Sequence, residues 1–185
     1  MLAWMNYLDR DGLLPLALLA CICHEAGHYV VIRMLGYRIA GLRLSAAGAD
    51  MSLASPMGYW QEILSAGAGP AVNLILYVLC SGTPGGNAFA GLNLILGLFN
   101  LIPAAQLDGG RILSCLLFLL LDPRWADMIK CMFDRFLIVM ILTLGTVLFL
   151  FCGNSSMLLV AIWLTAGLFM GKKGEIGLAI RNRNR

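Results

Sequence analysis

A chain of 185 residues that is 60% hydrophobic and only 12% charged cannot hide its apolar surface in a soluble domain, where about a quarter of residues carry charge. A mean hydropathy of +0.84 with long unbroken apolar runs fits an all-α polytopic membrane protein and excludes barrel strands, whose apolar residues alternate with polar ones. The net charge of +3 is modest, so its placement along the chain says more than its size.

The stretch LLAC at 18–21 has the form of a lipoprotein cleavage site, but Asp9, Arg10 and Asp11 precede it where a signal needs a positive cluster. No cleaved leader is expected, since cutting there would sever the first apolar segment. That segment runs over 12–35, and a second over 59–80. Between them Leu42 and Leu44 alternate with Arg43 and Ser45, a period of two that predicts strand pieces in a small membrane-edge sheet or re-entrant loop. A third segment over 88–121 is too long for one straight span of about 20 residues. It is interrupted at NLIPAAQLDGG, where Pro103, Gly109 and Gly110 break or kink a helix. The fourth segment is predicted over 135–152 and a short fifth over 157–170. The expectation is therefore about five transmembrane helices with a small β element between the first two. They form a single domain over 1–185, with a core at 12–121, accessory helices at 135–171 and a basic tail at 172–185.

Alternating five spans puts Arg38 and Arg43, the group Arg124, Lys130 and Arg135, and the tail GKKGEIGLAIRNRNR on one side of the membrane. The other side receives Arg10 and two chargeless turns. Lys and Arg mark the cytoplasmic face, so the N-terminus is expected outside and the tail inside. Beside a membrane the closing RNRNR reads as a contact for anionic headgroups, and nucleic acid is not expected as a partner. The six cysteines lie mostly in apolar segments without disulfide-framework spacing and read as reduced small hydrophobes.

The first segment contains CHEAGH, with both histidines of the chain, His24 and His28, and Glu25 between them. Four apart on a helix, the imidazoles share a face and can hold one metal ion, and Glu25 is placed to accept a proton from an attacking water. Polar groups in a membrane are expensive and usually functional. Zinc catalysis wants three protein ligands and an open position, and no third histidine exists. Asp50, Glu62, Asp122, Asp127, Asp134 and Glu175 fall in loops, at span ends or in the tail, which leaves Asp108 as the carboxylate within an apolar segment. His24 lies roughly 11 residues from the cytoplasmic end of its span and Asp108 roughly 13 from that of its own, so both reach one level, nearer the cytoplasm. The alternative role for Asp108 is to cap the half-helix that starts at Gly109.

Together HEAGH, GAGPAVN and FNLIPAAQLDGGRI resemble the motifs of the site-2 protease family of intramembrane zinc metalloproteases (peptidase M50). The match reaches over roughly 20–115, and the compact layout looks closest to the branch containing stage IV sporulation protein FB. The resemblance implies that His24, His28 and Asp108 are zinc ligands and Glu25 the catalytic acid/base. It implies a membrane-tethered protein substrate, such as a sigma-factor precursor, an anti-sigma factor or a transcription factor, with membrane regulatory proteins as further candidate partners. The chain departs from the family in carrying Ala105 and Gln106 where the linker often has a second proline, and in placing the histidine motif in its first span rather than after a further helix. No PDZ or CBS domain is expected.

An oxyanion donor is expected of such a site. Asn73 is the first candidate and Asn100 the second, the alternative for either being an interhelical hydrogen bond. A helical substrate must unwind before attack, and the strand-like stretch at 38–53 is suited to pair with it. Cys21 shares the helix face of the histidines and is a candidate resting ligand, against an ordinary small membrane residue. Arg111 is either a partner of Asp108 or a side chain that snorkels to the interface. A metal-ion transporter or a metal-binding scaffold using the same ligands is the rival function. Transport calls for a path of polar groups, and simple binding has no use for Glu25.

Overall fold

The computed structural model describes residues 12–152, apart from 46, 47 and 105, together with residue 162. The first helix, α1 (Leu13–Met34), buries Ala20, His24, Gly27, His28 and Ile32, a stripe at helical spacing, and turns Leu18, Leu19, Ile22 and Val30 outward. It ends in a Schellman turn. The amide of Gly36 reaches the carbonyl of Arg33 at 3.1 Å and that of Tyr37 reaches Ile32 at 3.2 Å. This closure needs a left-handed residue, and Gly36 supplies it with φ of 82°.

A hairpin follows, β1 (Ile39–Ser45) antiparallel to β2 (Gly48–Leu53), with Leu42 opposite Met51 and Arg43 opposite Asp50. The period-2 stretch is thus a two-stranded sheet rather than a re-entrant loop.

The second helix, α2 (Tyr59–Cys80), is central: it packs on α1, on α3 (Asn87–Asn100) and on α4 (Asp108–Leu120). Its buried face is Ser65, Ala66, Ala68, Gly69, Pro70 and Asn73. Small residues at the crossings and large apolar ones outside are the pattern of helices packed in lipid, where close backbone approach replaces the hydrophobic drive. The α1–α2 crossing is tight at Gly27, where a Cβ would meet the Ala68 carbonyl oxygen and Val72 Cγ2 at 2.9 Å each. Gly27→Ala is therefore expected to spread the two helices and destabilise the protein by about 1–3 kcal/mol, read as a lower thermal midpoint in detergent.

The long third segment is two helices of 14 and 13 residues, α3 and α4, each about 20 Å long and so too short to span alone. They are joined by a linker whose Ala104 and Leu107 are buried with Phe99 and Ile102. Leu137 and Ile141 of α5 (Pro123–Cys152) pack against the same cluster.

The fourth element differs from expectation. It starts at Pro123, twelve residues before 135, so Arg124, Lys130 and Arg135 lie on a helix rather than in a loop. A proline fits the first helical position because its fixed φ suits the turn and its missing N–H has no partner to lose there. The amide of Ala126 closes that turn on the Asp122 carbonyl at 3.0 Å. Among the described residues there are five helices, and two, Leu13–Met34 and Tyr59–Cys80, are long and apolar enough to cross a membrane by length and composition. The predicted fifth span at 157–170, apart from residue 162, and the tail at 172–185 lie outside the described residues.

Candidate metal centre

His24 and His28, one turn apart on α1, meet Asp108 from the first turn of α4. Asp108 Oδ2 lies 3.1 Å from His24 Nε2 and 3.2 Å from His28 Nε2, and the two Nε2 atoms are 3.2 Å apart. All three residues are buried. A tetrahedral ion with bonds of about 2.0–2.1 Å holds its ligand atoms about 3.3 Å apart, so this triangle matches zinc to within about 0.2 Å per edge. Two imidazoles and one carboxylate also leave the fourth position open.

The tautomer of His28 follows from its neighbour. Its Nδ1 lies 2.7 Å from the Ser65 carbonyl oxygen, which can only accept, so Nδ1 carries the proton and the Nε2 lone pair faces the centre. His24 Nδ1 is buried with no hydrogen-bond partner among the described residues. The rings stand edge to face with centroids 4.8 Å apart. Gly69 of α2 makes room for both: a Cβ there would overlap the His28 ring and come within 2.8 Å of His24 Cε1. Gly109 does the same for the start of α4, its missing side chain admitting the Leu101 and Ile102 carbonyls.

Glu25 sits beside His24 on α1, half-buried and outside the ligand triangle. Cys21 is exposed and is not part of the metal-ligating group found among the described residues, so the resting-ligand role has no geometric support. The oxyanion candidates differ. Asn100 donates its amide to the Leu96 carbonyl at 3.0 Å, one turn back on its own helix. Asn73 is fully buried, one turn beyond Gly69 and against Gly97 of α3, and neither its Nδ2 nor its Oδ1 has a hydrogen-bond partner among the described residues. The sequence reading did not single out Asn93, equally buried on α3 and bonded to Phe89 at 2.9 Å, although an asparagine in an apolar helix is itself a signal. Arg111 reaches Glu62 on α2 as well as Asp108.

Residues 87–144, which carry α3, the linker and Asp108, match the family model of Peptidase family M50. A Synechocystis protein named, provisionally, as a zinc metalloprotease is 36% identical over 121 residues, or 58% of this chain and 32% of its own length. A zinc metalloprotease of Methanocaldococcus jannaschii is 32% identical over 113 residues, covering 55% of this chain and 33% of its own. The chain thus spans about a third of the length of these relatives. Among solved structures, the site-2 protease from Methanocaldococcus jannaschii superposes with a TM-score of 0.65 and 26% identity over 88% of this chain and 80% of that one. None of these matches singles out the sporulation branch. Zinc is the metal these relatives name, and the buried His–His–Asp triangle has the donor set and spacing to hold it. Over 87–144 the sequence thus matches Peptidase family M50, and the fold is similar to that of a site-2 protease.

Proposed function

We propose that the protein is an intramembrane zinc metalloprotease that hydrolyses a peptide bond within or near a transmembrane segment of a membrane-tethered protein. The observation that supports this reading is the buried convergence of His24, His28 and Asp108 between helices with exposed apolar surfaces, next to a carboxylate outside the ligand set. Zinc, when bound, polarises the scissile carbonyl and makes water acidic enough to lose a proton near neutral pH. His24, His28 and Asp108 hold the ion. Glu25 takes the proton from the attacking water and returns it to the leaving amine. Asn73 donates its Nδ2 hydrogens to the developing oxyanion, a role supported by its uncommitted buried amide. The substrate helix unwinds to expose its carbonyls, and the hairpin of β1 and β2 receives the extended segment by strand addition. The N-terminus lies outside and the tail in the cytoplasm, with the centre nearer the cytoplasmic face. Residues 12–121 form the catalytic core.

The test is cleavage of a transmembrane test substrate by the purified protein in detergent. A zinc chelator should abolish cleavage and added zinc restore it, and proline or glycine near the cut should raise the rate. Cleavage that survives chelation would sink the metalloprotease, and indifference to helix breakers would sink the unwinding step.

A further inference from the structure

Asp108 differs from the histidines in its place on its helix. The histidines are on an unbroken helix, whereas Asp108 opens α4 and is followed by Gly109 and Gly110, which offer no side chain to hold it. Its two oxygens face different groups. Oδ2 points at both imidazoles, and Oδ1 lies 3.7 Å from Nη1 of Arg111, one turn along α4. The same guanidinium is gripped from α2, where Glu62 Oε1 accepts from its Nε at 3.0 Å and from its Nη2 at 2.5 Å.

We propose that Arg111, anchored by Glu62, is a positioning residue for the metal centre: it holds Oδ1 of Asp108 so that Oδ2 is presented to the ion. Glu62 fixes two of the guanidinium's nitrogens, and the rigid plane then aims the third at Asp108. The pair is not there chiefly to dock the helices. Arg111 and Glu62 side chains are 43% and 29% exposed, and exposed pairs add little to stability. The stacking of Tyr59 on Phe118, with centroids 6.0 Å apart, joins α2 to α4 independently. Removing the Arg111 charge should therefore leave the bundle packed and the ligand loose. Snorkelling towards the interface would not require the guanidinium to face two carboxylates.

The proposal rests on Asp108 being a zinc ligand, and the experiment separates the two. Zinc affinity of the full chain in detergent is measured by competition with a chromophoric chelator, alongside the thermal midpoint. Arg111→Gln should weaken affinity about tenfold or more with little change in midpoint, and Arg111→Lys should recover part of it. The exchange Glu62→Arg with Arg111→Glu rebuilds the helix-to-helix pair but sets a carboxylate beside Asp108. It should keep the midpoint and not the affinity. If Arg111→Gln stays within about twofold of wild type while Asp108→Asn loses zinc, or if the exchange restores affinity, the positioning role is wrong. If Asp108→Asn binds zinc as wild type does, the ligand assignment itself falls.

Discussion

Glu25→Gln should leave zinc content unchanged and lower cleavage by about 10²–10⁴-fold, the usual contribution of a general acid/base. The substitution keeps size and hydrogen-bonding capacity but replaces an acceptor of protons with an amide that cannot take one. Glu25 is adjacent to His24, on the helix that carries both imidazoles, yet the ligand triangle is complete without it. Metal binding and proton transfer are therefore separable at this position. Zinc in both proteins with equal cleavage would remove Glu25 from the chemistry and favour a scaffold or transporter. Loss of zinc from the variant would make Glu25 part of the binding site rather than its base.

Gly69→Ala should weaken zinc binding by tenfold or more and abolish most cleavage, although the side chain added is a single methyl group. That methyl would fall on the His28 imidazole and within 2.8 Å of His24 Cε1. The rings cannot simply yield, because His28 is bonded to the Ser65 carbonyl one turn earlier on the same helix. Overpacking of this kind costs about 1–3 kcal/mol, and here the displaced atoms belong to the candidate ligands. Gly67→Ala is the control. A Cβ at Gly67 meets nothing within 4 Å, so zinc affinity and cleavage should stay at wild-type levels. Equal behaviour of the two variants, measured by zinc titration, would mean that Gly69 does not shape the centre.

Much of this arrangement was legible before the structure because membrane helices penalise polar residues. His24, His28 and Asp108 stood out against hydrocarbon, and the second helix ends where its apolar run ends. Pro103 and the two glycines announced the break between α3 and α4. Other features left no such signal. The partner of His28 is a backbone carbonyl, which every residue has, so Ser65 could not be singled out. Glu62 reads as an ordinary span-end carboxylate until α4 folds back and brings Arg111 to it. The early start of α5 gives no hydropathy signal, because 123–134 is helical without being an apolar run.

His24 and Asp108 are 84 residues apart in the chain yet 3.1 Å apart in space. During synthesis, His24 and His28 on α1 are made long before Asp108, and the candidate centre cannot be completed until translation has passed residue 108 and α4 has folded back. Completion of the candidate centre is thereby deferred until α1, α2 and α4 have assembled.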